Sequence, residues 1–196
     1  MMVKICGITN REDALAAIEG GASALGFNFY PQSPRYLNPE QAAELIAQLP
    51  ATVWKVGVFV NESPQRITEI VNRAGLDVAQ LVGQADSLSG LRIWRAIQVD
   101  ENFRLSNLDQ IEAEAILLDT PSGAAHGGTG RTFDWSKAAG LTKKKIILAG
   151  GLDAANVRQA IAAVHPWGVD TCSRIESFPG RKDHLKMAQF LREATA

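Results

Sequence analysis

Two kinds of block alternate along the chain. Eight short runs rich in aliphatic and β-branched residues recur: Val3 to Cys6, Ala24 to Phe29, Val53 to Val60, Val78 to Val82, Leu91 to Val99, Ala115 to Leu118, Ile146 to Leu148 and Trp167 to Thr171. Glycine or polar residues bound them. Nearly continuous apolar runs of this length are the pattern of parallel strands covered on both faces. The segments between them are amphipathic. Leu45, Ile46 and Leu49 share one helical face, and Ile67, Ile70 and Val71 share another.

Start and stop signals frame these helices. Thr9-Asn10-Arg11-Glu12 reads as a capping box, with Thr9 at the N-cap. Asn38-Pro39 and Ser63-Pro64 place a cap before a proline at the first helical position. Asp134, Asp153 and Asp183 are expected caps of later helices. Gly20-Gly21 and Ala74-Gly75 close the first and third. The stretch from Asp100 to Ala113 is short and irregular, so the fifth helix is expected to be stunted or missing.

Eight β-α units with no low-complexity linker predict one α/β domain over residues 1–196, a (β/α)8 TIM barrel with a reduced fifth helix. An open doubly wound sheet is the alternative. It lacks the glycine fingerprint after its first strand that a dinucleotide site would need.

Composition narrows the chemistry. No apolar run is long enough to span a membrane. The first helix carries Arg11, Glu12 and Asp13, which does not fit a signal peptide, so a cytoplasmic protein is expected. The net charge is -1, with no basic block or basic-aromatic stripe for nucleic acid. Two cysteines far apart make a poor disulfide framework, and His126, His165 and His184 lack metal-ligand spacing. Cys, Asp, Arg and backbone groups are left to do the work.

In a barrel the working residues stand at the C-terminal ends of strands. Cys6 ends the first run and Asp119 the sixth, while Asp170, Cys172 and Ser173 fall near the end of the eighth. A lone cysteine packs well as a small hydrophobe. A cysteine just before a helix N-terminus instead feels positive potential that favours thiolate, a nucleophile or a base. Asp119 follows four apolar residues, and such surroundings raise a carboxyl pKa and suit an acid; the plainer reading is a cap or loop ion pair. Gly150-Gly151 and Cys172-Ser173-Arg174 follow strands seven and eight, where barrels bind phosphate; a tight turn is the plainer reading. Arg35 fits a substrate carboxylate or simply solvent. The run from His126 to Gly130 lacks the P-loop lysine and reads as a lid near Asp119. Strands one and eight are neighbours in a closed barrel, so Cys6 and Cys172 are expected close together. Oxidation could link them if their Cα atoms stand within about 7 Å.

"KICGIT" at 4–9, "GFNFYPQSPRY" at 26–36, "VGVFVN" at 56–61, "LDVAQLVG" at 76–83, "LLDT" at 117–120, "GGTGRTFDW" at 127–135, "LAGGL" at 148–152 and "PGRKD" at 179–183 occur in this order. Together they closely resemble the phosphoribosylanthranilate isomerase family of tryptophan biosynthesis, essentially end to end. The resemblance implies a (β/α)8 barrel and the Amadori rearrangement of N-(5-phosphoribosyl)anthranilate to 1-(2-carboxyphenylamino)-1-deoxyribulose 5-phosphate. It implies no cofactor or metal, a small phosphorylated substrate, and a monomer or homodimer. By motif position, Cys6 resembles the general base and Asp119 the general acid. Arg35 resembles the holder of the anthranilate carboxylate, and the backbone around Gly150, Gly151, Ser173 and Arg174 the phosphate cradle. Two positions depart from the family. Val82 stands where histidine is usual, and the strand-eight loop has Arg174 in place of a glycine. A charged contact from Arg174 to phosphate is the expectation there. The sister isomerase of histidine biosynthesis would carry aspartate in place of Cys6. Indole-glycerol-phosphate synthase would need strand-end lysines. A non-catalytic phosphate-binding barrel would not need both Cys6 and Asp119.

Overall fold

The computed structural model describes residues 1–83, 88–121, 132–140 and 142–196. Eight parallel strands close a ring in chain order: β1 Met2–Ile5, β2 Ala24–Asn28, β3 Trp54–Val60, β4 Val78–Val82, β5 Ile93–Gln98, β6 Ala115–Asp119, β7 Lys145–Leu148 and β8 Gly168–Thr171. β8 pairs with β1, from Met2 beside Gly168 to Ile5 beside Thr171. This is the expected (β/α)8 barrel, and each strand lies within two residues of its predicted run. Around it lie α1 Arg11–Glu19, α2 Pro39–Ile46, α3 Pro64–Ala74, α4 Val157–Val164 and α5 His184–Thr195. The fifth connection carries only a 3-10 helix, Leu105–Gln110, as expected. A two-stranded antiparallel hairpin, β9 Glu176–Phe178 and β10 Arg181–Lys182, follows β8.

The caps at Asn38, Ser63 and Asp183 form as expected, each side chain accepting from a backbone N–H of the first turn. Two others move. Asn10, not Thr9, caps α1, its Oδ1 accepting from Asp13 N at 2.9 Å. Thr9 instead donates its hydroxyl to the Gly180 carbonyl, so the hairpin competes for it. α4 starts after Asn156, because Asp153 spends its carboxylate on the tighter turn before it, accepting from Ala155 N at 2.9 Å.

Alternation along the strands sorts the chain into an outer and an inner surface. Val3, Ile5, Leu25, Phe27, Ile116, Leu118 and Val169 face outward into the layer shared with the helices. Met2, Ala24, Val56, Val78, Trp94, Ala115, Leu117 and Ile147 face inward. Trp54, Trp94 and Trp167 pack ring to ring at the strand N-termini, with centroids 5.6 to 6.2 Å apart. Arg92 lies over Trp54 and Lys145 over Trp167, and both ion-pair with Glu114 at 2.9 Å. That end of the barrel is therefore a packed floor. Carried upward, the same parity puts Lys4, Cys6, Asp119, Asp170 and Cys172 inside, toward the other end.

Candidate active site

The inner positions of β1 are Met2 and Lys4, and the next is Cys6. A charged residue in so short a buried strand needs a partner. Lys4 Nζ lies 2.8 Å from Asp170 Oδ1 across the β1–β8 seam, and the lysine side chain is fully buried. Burial alone would pull the ammonium down; the charges of Asp170 and Cys6 outweigh it and keep Lys4 protonated. Burial is the larger effect on Asp170 and lifts its carboxyl to about 7 in spite of Lys4. Room for this pair comes from Gly26 on β2. A Cβ there would stand 2.8 Å from Cys6 Sγ and 3.2 Å from Lys4 Cε.

Cys6 caps this column at the barrel mouth, partly exposed, with its N–H on the Thr171 carbonyl at 2.9 Å. A hydrogen bond from Cys172, then the charges of Lys4 and Lys182, pull its thiol well below the ordinary value, against the opposing effect of burial. Cys172 is pushed up, because its proton is the one being shared and burial disfavours its thiolate. Cys6 and Cys172 are thus adjacent, as expected, and both are free thiols.

Asp119 ends β6 on the same inner surface. Burial lifts its carboxyl to about 6; the Thr120 N–H on Oδ1 at 2.8 Å and Lys4 oppose the shift, and the Cys6 charge adds to it. Gly150, after β7, packs directly on it. With φ 82 and a would-be Cβ 2.3 Å from Thr120 Oγ1 and 3.0 Å from Asp119 Oδ1, this position requires glycine on two counts.

Gly151 is also left-handed, at φ 66. Ser173 and Arg174 open the 3-10 turn Ser173–Ile175 after β8. Among the described residues, the backbone N–H groups of Gly150, Gly151, Ser173 and Arg174 donate to no protein acceptor. Arg174 Nη2 reaches Asp153 Oδ2 at 3.1 Å, so its guanidinium ties the loop after β8 to the loop after β7.

Arg35, in the loop after β2, is brought to the same mouth and held bidentately by Glu176: Nε to Oε1 at 2.9 Å and Nη2 to Oε2 at 2.7 Å. Lys182 Nζ lies 3.0 Å from Glu176 Oε1 with its side chain fully buried. Burial raises Glu176, but Arg35 and Lys182 outweigh it and hold the carboxyl below its ordinary value. The hairpin carrying both residues is pinned to α1 where Lys182 N donates to Asp13 Oδ2 at 2.9 Å and His184 Nε2 meets Asp13 Oδ1 at 2.8 Å.

All seven residues singled out from the sequence, Cys6, Arg35, Asp119, Gly150, Gly151, Ser173 and Arg174, thus lie at or beside strand C-termini. The run 126–130, read above as a lid, lies outside the described residues. Lys4, Glu176 and Lys182 were not anticipated. Lys4 had a signal, a charge at an inner position of a buried strand. Glu176 and Lys182 had none, since their partners are set by the closed fold. Among the described residues no group of three or more His, Cys, Asp or Glu is placed to hold a metal ion.

A family model described as N-(5'-phosphoribosyl)anthranilate (PRA) isomerase matches residues 3–193. The N-(5'-phosphoribosyl)anthranilate isomerase of Solibacter usitatus (strain Ellin6076) is 52% identical over 199 residues, covering 100% of this chain and 98% of the relative. The crystal structure of phosphoribosyl anthranilate isomerase from Thermotoga maritima is 38% identical, with a TM-score of 0.88 and coverage of 100% of this chain and 98% of that one. A further solved phosphoribosyl anthranilate isomerase, in complex with reduced 1-(o-carboxyphenylamino)-1-deoxyribulose 5-phosphate, is 36% identical, with a TM-score of 0.82 and the same coverage.

Proposed function

The chain belongs to the N-(5'-phosphoribosyl)anthranilate isomerase family, and on that premise we propose how its residues divide the work. The reaction is the Amadori rearrangement of N-(5'-phosphoribosyl)anthranilate to 1-(2-carboxyphenylamino)-1-deoxyribulose 5-phosphate in tryptophan biosynthesis, by acid and base catalysis. It needs one group to give a proton to the sugar ring oxygen and another to take one from C2′. The observation that carries our assignment is the pair of opposite displacements at one mouth. Cys6 is pulled down toward thiolate, and Asp119 is pushed up to about 6. Two titrating groups driven apart by their surroundings are the mark of an acid/base pair.

Asp119 gives its proton to the furanose ring oxygen as the C1′–O bond breaks. The anthranilate nitrogen supplies the electron pair for a C1′=N bond, which makes a Schiff base. Cys6 thiolate takes the C2′ proton, and the electrons left behind form C1′=C2′ while the C1′=N pair returns to nitrogen. The resulting enolamine loses its 2′-hydroxyl proton and gains one at C1′, which leaves the ketone. Arg35 is the anchor for the anthranilate carboxylate. Glu176 occupies Nε and one edge of Nη2, so the carboxylate meets the end of the guanidinium carrying Nη1. The unpaired N–H groups of Gly150, Gly151, Ser173 and Arg174 support a phosphate cradle between the loops after β7 and β8.

The mechanism calls for no cofactor or metal. We place the protein in the cytoplasm, as a monomer or homodimer acting on a small phosphorylated substrate without nucleic acid or membrane partners. A net charge of -1 without a basic block supports this, and among the described residues no helix is long and apolar enough to cross a membrane. Loss of phosphoribosylanthranilate fluorescence on adding the pure protein measures turnover. Cys6→Ala should lower kcat by ~10²–10⁴; turnover equal to wild type would show that Cys6 is not the base.

A further inference from the structure

Cys172 is a polar neighbour of Cys6 to which the steps above give no task. The β1–β8 ladder is in register up to Ile5 beside Thr171, and Cys6 N–H continues it onto the Thr171 carbonyl at 2.9 Å. The next residues, Cys6 and Cys172, are therefore set side by side at an inner position. Across this seam each thiol bears on the other's ionisation. A thiol has one proton to donate. Two acceptors stand within reach of the one on Cys172: the Cys6 sulfur, and Glu176 Oε1 at 3.9 Å.

The second acceptor is already taken. Glu176 Oε1 receives Arg35 Nε at 2.9 Å, Lys182 Nζ at 3.0 Å and Gly180 N at 3.3 Å. Three N–H donors exceed the two lone pairs of one carboxylate oxygen. Lys182 Nζ also stands 3.9 Å from Cys172 Sγ and donates to the Cys172 carbonyl at 3.4 Å, so the sulfur is held with a cation behind it. Its proton is left to point at Cys6. From this geometry, and taking Cys6 as the base, we propose that Cys172 is a positioning residue whose thiol donates its single hydrogen bond to the Cys6 sulfur and so favours the charged form that receives the substrate's proton.

Other charges act on Cys6 as well. Lys4 below it and Lys182 on β10 favour the thiolate. Arg35, from the loop after β2, also feels the Cys6 charge. The Cys6 charge in turn disfavours ionisation of Asp119 on β6 and Asp170 on β8. Glu176 on β9 is neutralised by its two cations. The charges of these groups are unaltered when Cys172 is replaced by a neutral side chain, and Cys172→Ser keeps a polar contact for Lys182, so the two substitutions together isolate the thiol donor.

The test follows the ionisation of Cys6 in two ways: the rate of its alkylation by iodoacetamide against pH, located by peptide mass spectrometry, and the acid limb of kcat/KM. Cys172→Ala should move both midpoints up by about 1–2 pH units, the size of a hydrogen bond to a charged group. Below the new midpoint kcat/KM should fall ~10–100-fold. Cys172→Ser keeps an O–H donor and should return both midpoints to near wild type, which loss of packing alone would not produce. Unmoved midpoints in folded Cys172→Ala overturn the proposal. Should that variant not fold, a rise of a full unit or more in Cys172→Ser, despite its retained donor, overturns it. If alkylation shifts while the kcat/KM profile stays put, the hydrogen bond stands and the base assignment for Cys6 falls.

Discussion

Asp119→Asn should make the protein more stable and nearly inactive, and the gain should grow with pH. The structure sets its size. Burial moves the Asp119 carboxyl from 3.8 to about 6 in the folded state, so folding disfavours its ionisation. At 1.36 kcal/mol per unit, the shift corresponds to about 3 kcal/mol. The sign follows from proton linkage. The folded state holds the proton to a higher pH than the unfolded state, so this stability is fully present below 3.8 and is lost as pH rises through about 6. About half is gone at pH 5, and nearly all at pH 8. Asparagine does not titrate, and its carbonyl keeps the bond from Thr120 N, now 2.8 Å from Asp119 Oδ1. Urea unfolding of both proteins at pH 5, 6.5 and 8 gives the comparison. The advantage of the variant should widen by about 1.5 kcal/mol from pH 5 to pH 8. Any constant difference between the two side chains cancels in that slope. A difference that is flat with pH, or shrinks as pH rises, would refute the claim that Asp119 is held against ionisation. Over the same range kcat should be down by ~10²–10⁴, the ordinary cost of losing a general acid.

Arg174→Gly should weaken competitive inhibition by inorganic phosphate by up to about tenfold, because it removes a guanidinium tied across the two loops by Asp153. Unchanged or tighter inhibition would count against any contact with phosphate. Hydrogen peroxide should oxidise the Cys6 thiolate to a sulfenic acid, releasing hydroxide. The Cys172 sulfur should then displace the sulfenic oxygen as water and close a disulfide. Activity and both thiols should disappear together, by thiol titration, and return with dithiothreitol; activity lost with only one thiol consumed would disprove the pairing.

The eight strands could be read from sequence because a parallel strand buried on both faces must be apolar nearly throughout. Val78 to Val82 and Ala115 to Leu118 have almost no other reading. Their places at the C-terminal ends of the first and sixth runs then assign Cys6 and Asp119 to one mouth. The helix starts were less secure where two polar residues competed. Thr9 and Asn10 can both cap α1, and the choice fell to Asn10 because the distant Gly180 carbonyl engages Thr9. Least legible were the groups gathered behind the two thiols. Lys182, whose charge favours the Cys6 thiolate, and Glu176, which meets the Cys172 sulfur, sit on a hairpin of three-residue and two-residue strands, too short for a periodic signature. They reach the mouth only because β8 closes on β1. Arg35 shows the same limit. Its position suggested a free partner for a carboxylate, and the fold had already given two of its nitrogens to Glu176.

That closure orders events during synthesis. Cys6 leaves the ribosome well before Cys172, Glu176 and Lys182, and these are followed by α5, which packs on α1 and β1. Until the last strand docks, the thiol is an ordinary one with a pKa of about 8.5. The nascent protein therefore carries its nucleophilic sulfur in a largely protonated, unreactive state, and acquires its acidity in the same step that completes the barrel. A chain stalled or clipped before residue 182 would still hold Cys6 but no longer the full set of groups that make it a base.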